Sequence, residues 1–155
     1  MSQIIPLLNY EEGYREAPYY DSLGFPTAGT GILLGPKGAP ISHYTFTVPK
    51  EFSDVWLQNI VNKKIEQMRD MPEIWAAMTV CNGPRQDILI SMAYQMGVKG
   101  LAKFVNTLAL IAAGNFTGAA AGMLTSTWAQ QTPARAKRHA EVMRTGTFTA
   151  YQGAL

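Results

Sequence analysis

Two carboxylates near the start of this 155-residue chain, Glu12 and Asp21, are of the types that acid/base chemistry needs. Such a pair hydrolyses a glycosidic bond when one protonated carboxyl gives its proton to the leaving oxygen and the other, ionised, activates water. An apolar pocket keeps the first protonated, and hydrogen bonds keep the second ionised. Surface carboxylates are common, so the spacing alone predicts little, and Glu11 competes with Glu12 for the role of acid.

The elements expected around these carboxylates are a short helix and a small sheet. Residues 3–12 have apolar side chains on one side, and Gly13 is suited to end the helix. From residue 14 to 39 the helical period gives way to aromatic and β-branched residues separated by glycines, a pattern typical of short strands and tight hairpins. We therefore expect Glu12 at a helix end and Asp21 on a turn of an antiparallel sheet, which must pack on helices to be stable.

A longer helix is predicted over residues 49–69, where apolar residues recur at three- and four-residue steps. Asp70 is placed to cap a further helix, because a proline and a glutamate follow it at the usual positions. Asn82 is placed to cap another helix, which ends at Gly97. The apolar face predicted for the long helix consists of Phe52, Val55, Trp56, Ile60, Val61, Ile65 and Met68.

The last third of the chain predicts short helices in quick succession, over residues 106–113, 116–124 and onward from Thr132. The sequence has no internal repeat and no low-complexity linker. We expect a single domain of class α+β, residues 1–155, with a small antiparallel sheet lobe, a long connecting helix and a larger helical lobe. The expected bounds are about 13–48 for the sheet lobe, about 49–69 for the connecting helix, and 1–12 with 70–155 for the helical lobe.

The residues around the two carboxylates form a specific pattern: Glu12-Gly13, then Tyr20-Asp21, then GFPTAGTG over residues 24–31. This pattern resembles the active-site segment of the phage-type lysozymes, the T-even phage endolysin family of glycoside hydrolases (family 24). The resemblance implies a lysozyme-like fold, and it continues into the helical lobe of that family. The later segments with the same order of residues are 92–97, 104–108, 128–138 and 144–151.

The family resemblance also implies catalytic roles. Glu12 would be the general acid, Asp21 would orient or deprotonate the attacking water, and Thr27 would hold that water. The family inverts the configuration of the sugar, so water attacks the face opposite the leaving group. Arg135 matches a family arginine that pairs with the catalytic glutamate across the cleft. The alternative for Arg135 is a solvated place on a basic helix face.

A set of glycan-binding residues follows from the same resemblance. Tyr94 suits this role because its ring can stack on a sugar while its hydroxyl forms a hydrogen bond. Burial in the core is the alternative for Tyr94 and for Leu33. Gly122 replaces a family asparagine and offers no side-chain contact, and Ile32 replaces a histidine, so that histidine's ion pair is absent. The implied positions are Leu33, Tyr94, Gln95, Met96, Thr107 and Gly122, with the backbones of Gln95 and Met96 framing the cleft floor.

Composition argues against several other classes of protein. Thirteen Lys and Arg against eleven Asp and Glu give a net charge of +2, which does not predict nucleic acid as a partner. Residues 108–124 are too short and too interrupted for membrane insertion. His43 and His139 lack partners at metal-ligand spacing, so we expect no metal and no cofactor, and we place both at the surface or at helix caps. Cys81, the single cysteine, is expected to be a spectator.

The predicted function is that of an endolysin-type muramidase. It would hydrolyse the β-1,4 bond between N-acetylmuramic acid and N-acetylglucosamine in bacterial peptidoglycan, for host cell lysis, as a free or tail-associated enzyme. The first residues lack the basic segment of a signal peptide. We therefore expect a monomer in the host cytoplasm that reaches the periplasmic cell wall after a separate pore protein releases it. The alternatives are a noncatalytic binding module on the same fold and membrane disruption by the cationic residues 134–144.

Overall fold

Helices dominate the chain, and one small sheet interrupts them early. The structure, a computed structural model, describes all residues from Met1 to Leu155. Nine α-helices and a three-stranded antiparallel sheet confirm the predicted α+β class. None of the helices has both the length and the apolar character that crossing a bilayer requires. In chain order the elements are α1 (Ile4–Glu12), β1 (Arg15–Tyr20), β2 (Pro26–Gly29), β3 (Ile32–Leu33), a 3₁₀ turn (Ile41–His43), α2 (Lys50–Arg69), α3 (Pro72–Val80), α4 (Gly83–Met96), α5 (Val98–Ala102), α6 (Val105–Ala112), α7 (Phe116–Leu124), α8 (Thr127–Gln131), α9 (Pro133–Thr145) and a second 3₁₀ turn (Thr149–Tyr151).

Two compact units divide the chain. The sheet unit, residues 5–60, contains most of α1, the three strands and the first half of α2. The helical unit contains residues 1–4 and 61–155. In the helical unit the Ser2 hydroxyl and the Gln3 N–H both donate to the Asp87 carboxylate at 2.7 Å, which attaches the first residues to α4.

In the sheet unit, α1 ends where the sequence predicts. Gly13 has a φ of +74°, and its N–H donates to the carbonyl of Asn9 at 3.0 Å, which closes the last turn. The chain then enters β1, which runs antiparallel to β2 with Tyr19 opposite Thr27. A bulge interrupts the register nearer the start of β1. The order of the strands is β1-β2-β3, so consecutive strands are neighbours.

A buried polar cluster attaches this sheet to the helices of its unit. Thr30, fully buried between β2 and β3, donates its hydroxyl hydrogen to Asn9 of α1 and lies 3.5 Å from the Ser53 hydroxyl of α2. The Asn9 amide donates in turn to Asp54 at 2.8 Å. Gly29 is needed beside the cluster, because a Cβ there would lie 2.5 Å from Ser53 Oγ. The Asn9–Thr30–Ser53 cluster therefore joins α1, the hairpin and α2.

The buried face of α2 differs from the prediction. The apolar pattern places Phe52 and Val55 on the buried face, but their side chains are 71% and 64% exposed, so this part of the prediction is wrong. The buried face of this half of α2 consists of Ser53 and Leu57, which are both 0% exposed. Ser53 is buried because its hydroxyl lies against Thr30, and a pattern that counts only apolar residues omits such a position. Of the other predicted members, Trp56 is exposed, Ile60 and Ile65 are half-buried, and Val61 and Met68 are buried.

The core of the helical unit lies among α3 to α9, where α7 packs on α9 and α6 packs on both α3 and α7. Asn82 caps α4 as predicted, since its side chain accepts a hydrogen bond from the Arg85 N–H. Asp70 does not cap α3: Met71 has that position, and the Asp70 N–H donates to Glu66 at the end of α2. The short helices α5 and α8 were not predicted, because five residues show no clear period. The largest fully buried side chains of this unit are Met68, Ile74, Ile88, Leu89, Met92, Leu101, Leu108, Ile111 and Met123.

Two truncations on α2 test which face is buried. We expect Leu57→Ala to lower the free energy of unfolding by about 2–5 kcal/mol, because it leaves a cavity in a fully buried place. Phe52→Ala, its matched control on the exposed face of the same helix, should change the same quantity by less than about 0.5 kcal/mol. Urea denaturation followed by circular dichroism measures both. A larger loss for Phe52→Ala than for Leu57→Ala would contradict the assignment of the faces.

Candidate active site

Glu12 is the last residue of α1 and lies against the turn between β2 and β3. A Cβ built on Gly31 in this turn would be 3.4 Å from Glu12 Oε2 and 3.6 Å from Glu12 Cβ. Gly31 has a φ of +66°, a backbone conformation that favours glycine, while a Cβ there would make only an ordinary van der Waals contact with Glu12. Glu11 and Glu12 are both partly exposed. It is therefore the approach of the turn at Gly31 that places Glu12 beside the sheet.

Asp21 lies on the turn between β1 and β2, and the backbone of that turn orients its carboxylate. Asp21 Oδ1 accepts hydrogen bonds from the N–H groups of Leu23 and Phe25, both at 2.9 Å. The Asp21 N–H donates to the Phe25 carbonyl at 2.9 Å, and its own carbonyl accepts from Gly24. Aspartate favours such turns because its short side chain reaches the following backbone N–H groups. These contacts all engage Oδ1 or the backbone, which leaves Oδ2 to face other groups.

Thr27 is buried on β2, and Phe25 connects it to Asp21. The Thr27 hydroxyl donates to the Phe25 carbonyl at 2.9 Å, while the Phe25 N–H donates to Asp21 Oδ1. The hydrogen of the Thr27 hydroxyl is thus committed, and its oxygen can still accept a hydrogen bond. A single backbone residue therefore orients two of the three residues predicted for catalysis.

Tyr19 lies beside this group and is not among the residues predicted from the sequence. It lies directly opposite Thr27 in the register of β1 and β2. Burial raises the pKa of its phenol, Arg15 lowers it, and the charges of Glu12 and Asp21 both raise it. The charges of both carboxylates thus act on the Tyr19 phenol. The signal was available, because Tyr19 precedes Asp21 by two residues, the spacing that places strand residues on one side of a sheet.

In the helical unit, Thr107 of α6 and Gly122 of α7 lie side by side. A Cβ on Gly122 would be 2.9 Å from Thr107 Oγ1, so the missing side chain gives that hydroxyl its space. Both residues line an open cavity of about 250 Å³. The cavity therefore combines hydroxyl, amide and ammonium groups that can bind a polar ligand. Its other lining residues are Lys103, Phe104, Val105, Asn106 and Thr125.

The other predicted glycan-binding residues lie at the ends of elements. Leu33, at the end of β3, is 61% exposed, so the alternative that it belongs to the core is wrong. Tyr94, Gln95 and Met96 form the last turn of α4, and all three are partly exposed. The side chain of Gln95 accepts a hydrogen bond from Trp128 Nε1 at 2.8 Å, which fixes this turn against α8. That these residues bind glycan stays a prediction.

Arg135 is buried near the start of α9, so the alternative of a solvated helix face is wrong for this residue. One of its guanidinium nitrogens donates to the Ser91 hydroxyl at 2.8 Å. Lys137 on the same helix is exposed, and Arg138 is half-buried. A buried guanidinium must be held by polar groups, and Ser91 of α4 is one of them. The pairing of Arg135 with the acid stays a prediction.

His139 was expected at the surface or at a helix cap, and this expectation is wrong. The imidazole is fully buried, with Nε2 2.8 Å from the Ser91 hydroxyl and Nδ1 2.7 Å from the Tyr151 hydroxyl. Burial lowers the pKa of His139 well below its ordinary value, and the charges of Arg135 and Arg138 lower it further. His139 is therefore neutral at pH 7, inside a polar chain that runs from Arg135 to Tyr151.

Cys81 and the acidic residues supply no other reactive centre. Burial raises the pKa of the Cys81 thiol to about 11, so the thiol is protonated at pH 7 and is a poor nucleophile. No group of three or more His, Cys, Asp or Glu side chains is arranged to hold a metal ion. The chemistry available to the candidate site is that of carboxylates and hydroxyls.

Comparison with known sequences decides the family. The sequence profile of the phage lysozyme family matches residues 9–141, a span that includes Glu12, Asp21 and Thr27. The chain belongs to the phage lysozyme family. This confirms the resemblance drawn from the motifs around the two carboxylates.

Similar proteins differ in how much of their own length is matched by this chain. Probable T4-type lysozymes 1 and 2 of Dictyostelium discoideum are each 27% identical to it, over 98% of this chain and 99% of their own length. The pre-baseplate central spike protein Gp5 of Enterobacteria phage T4 is 28% identical over 94% of this chain, but the match spans only 28% of Gp5. The chain thus corresponds in length to the two probable lysozymes and to a part of the spike protein.

Because the His139 imidazole is buried, the free energy of unfolding should depend on pH. Because the folded-state pKa of His139 is lowered, the unfolded chain binds a proton below about pH 6.5 that the folded chain does not bind. The free energy of unfolding should therefore fall as the pH falls from about 6.5 to 5, by up to about 1.4 kcal/mol per pH unit. Urea denaturation at several pH values measures it. In His139→Gln this slope should be lost, whereas His43→Gln, which changes the exposed histidine, should keep it; equal slopes in all three proteins would refute the assignment.

Proposed function

We propose that the chain is a muramidase that hydrolyses the β-1,4 bond between N-acetylmuramic acid and N-acetylglucosamine in bacterial peptidoglycan. The observation that carries the proposal is the arrangement in the sheet unit. Glu12 lies against the turn at Gly31, and Asp21 and Thr27 are both oriented by the backbone of Phe25. Two carboxylates with a hydroxyl acceptor beside one of them are the groups that an acid/base hydrolysis of a glycosidic bond needs. Membership of the phage lysozyme family supports the same activity.

Each of these residues has one role in an inverting mechanism. Glu12, protonated, gives its proton to the oxygen of the leaving sugar as the glycosidic bond breaks. Asp21, ionised, accepts a proton from water, and that water attacks the sugar from the opposite face. The Thr27 oxygen accepts the second hydrogen of the water and so fixes its direction. One proton leaves Glu12 and one arrives at Asp21, so the pair must exchange them with solvent before the next turnover.

The backbone contacts of Asp21 fit the role of base. Its Oδ1 is occupied by two N–H groups of the turn, so Oδ2 is the oxygen that can take the proton from water. The hydrogen of Thr27 is committed to the Phe25 carbonyl, so the threonine must accept rather than donate toward that water. Glu11 precedes the acid by one residue and therefore points to a different side of α1. The atoms nearest to a Cβ built on Gly31 all belong to Glu12.

Further residues have proposed roles in glycan binding. The cavity that Thr107 and Gly122 line is of a size for part of a sugar unit, and Lys103 and Asn106 supply polar groups at its wall. In the proposal, Tyr94 is a stacking platform, the backbones of Gln95 and Met96 contact the sugar, and Leu33 gives an apolar contact. The role of Arg135, to orient the acid, comes from the family resemblance. No cofactor enters the mechanism.

Substitution of the two carboxylates tests the proposal. Loss of turbidity of purified peptidoglycan and release of new reducing muramic acid ends, identified by mass spectrometry, should both occur with the wild type. Glu12→Gln and Asp21→Asn should each lower the rate by about 10²- to 10⁴-fold, the usual contribution of acid/base catalysis. Glu11→Gln, the matched control at the neighbouring glutamate, should keep the wild-type rate.

The anomeric form of the first product distinguishes an inverting from a retaining mechanism. An inverting enzyme cleaving a β bond releases the new reducing end as the α anomer, which NMR spectra recorded within minutes of mixing detect. Initial release of the β anomer would contradict the inverting mechanism and indicate a retaining one. A wild type that binds peptidoglycan and releases no fragments would instead make the chain a binding module on the same fold.

We also propose that the protein acts after a delivery step, accumulating in the host cytoplasm until a separate pore protein gives it access to the periplasmic wall. Membership of a phage family supports this place in lysis. Expression of the chain alone in bacteria should leave the cells intact, and coexpression with a pore-forming protein should lyse them within minutes. Lysis by the chain alone would contradict the delivery step. Lysis of cells that coexpress the pore protein and the Glu12→Gln variant would show that lysis does not require hydrolysis by this chain.

A further inference from the structure

Tyr19 has a place in the candidate site that its neighbours on the chain do not share. It is the cross-strand partner of Thr27, and it precedes Asp21 by two residues. Directly opposite residues of an antiparallel pair have their side chains on one face, with Cβ atoms about 5 Å apart. The phenol of Tyr19 therefore stands on the same face of the sheet as the side chain proposed to hold the attacking water.

The hydroxyl groups of the nearby tyrosines are used differently. The Tyr14 hydroxyl donates to the carbonyl of Val48. The Tyr20 hydroxyl donates to the carbonyl of Ala39 at 2.8 Å and accepts from the Ile41 N–H at 2.9 Å. Both of these tyrosines attach a following loop to the sheet. The Tyr19 hydroxyl makes no hydrogen bond within the protein, so its donor and acceptor are left for another molecule.

Two kinds of charge act on Tyr19. The Arg15 guanidinium lies over its ring, 4.5 Å from the centroid, at a distance at which a cation is attracted to an aromatic face. This contact holds the ring in place. Burial raises the pKa of the phenol, Arg15 lowers it, and the carboxylates of Glu12 and Asp21 raise it; the net shift is upward, so the phenol stays neutral throughout the range in which a carboxylate pair can work. A neutral phenol is a hydrogen-bond donor, whereas a phenolate could only accept.

We propose that Tyr19 is a substrate-binding residue, whose hydroxyl donates a hydrogen bond to an acceptor oxygen of the N-acetylhexosamine unit held between Glu12 and Asp21. The inference rests on the proposed function, because that function places a sugar at these carboxylates. It adds a residue of β1 to the proposed glycan contacts, on the face of the sheet that also carries Thr27. Arg15 is a positioning residue for this contact, since it touches the ring and not the sugar.

The test removes one oxygen atom, that of the Tyr19 hydroxyl. Tyr19→Phe keeps the ring and its contact with Arg15, and Tyr20→Phe is the matched control, which removes the neighbouring hydroxyl from its loop contacts. Two quantities are measured: kcat/KM for release of reducing ends from peptidoglycan, and the Kd of a soluble tetrasaccharide of alternating N-acetylglucosamine and N-acetylmuramic acid. The Kd is measured in the Glu12→Gln background, so that the probe is not hydrolysed.

We expect Tyr19→Phe to lower kcat/KM by about three- to tenfold and to raise the Kd of the tetrasaccharide by a similar factor. This is the usual effect of losing one hydrogen bond. Tyr20→Phe should change neither quantity by more than about twofold. A purely structural role for Tyr19 would lower the melting temperature and leave the Kd unchanged, and that result would overturn the proposal.

The outcomes for Tyr19 and for the muramidase proposal are separable. If the wild type hydrolyses peptidoglycan and Tyr19→Phe has wild-type kcat/KM and Kd, the proposed function stands and the Tyr19 contact is wrong. If the wild type binds the tetrasaccharide without hydrolysing it, and Tyr19→Phe weakens that binding, the contact is supported and the catalytic proposal fails. If the wild type neither binds nor hydrolyses, both proposals are overturned.

Discussion

The sheet unit depends on one buried threonine. Twelve strand residues in three strands are too few to be stable alone in water, so this sheet needs helices to hold it. The Thr30 hydroxyl, fully buried, meets Asn9 of α1 and Ser53 of α2 and so joins three elements at one point. A buried hydroxyl without partners would cost free energy, which makes this arrangement of the elements specific. Glu12 follows Asn9 by three residues on the same helix, so its position beside the hairpin depends on this cluster.

A second constraint concerns the turn between β1 and β2, where backbone groups do most of the positioning. The N–H and the carbonyl of Phe25 contact Asp21 and Thr27 respectively, so the distance between these two side chains is set by the geometry of a single residue. Side chains on flexible stems would hold that distance less well. The glycine at position 31 contributes in a similar way, because its positive φ lets the turn adopt the conformation that lies beside Glu12. The candidate site is thus positioned by backbone, and the carboxylates remain available for chemistry.

Much of this architecture was predictable because it is local. The helix end at Gly13, the cap at Asn82 and the short antiparallel sheet follow from residue types within a few positions of each other. The buried face of α2 was predicted wrongly because its polar member, Ser53, is buried by a partner on a different element. His139 was misplaced for the same reason, since Ser91 and Tyr151 lie 48 and 12 residues away. Sequence periodicity contains no information on such long-range polar partners. The candidate catalytic residues Glu12, Asp21 and Thr27 were predicted from a motif, whereas Tyr19 needed the strand register.

The polar chain in the helical unit shows why a histidine can be buried there. Arg135 only donates, so the Ser91 oxygen must accept from it. In the tautomer with its proton on Nδ1, His139 accepts the Ser91 hydrogen at Nε2 and donates from Nδ1 to the Tyr151 oxygen. A neutral imidazole therefore satisfies each link of the chain. A protonated imidazole would bring a second donor onto Ser91 and a second positive charge beside Arg135, in a fully buried place where charges are poorly screened. The guanidinium and the imidazole thus constrain each other: burial, with the permanent charge of Arg135 beside it, keeps His139 neutral, and a neutral His139 keeps Ser91 oriented toward Arg135.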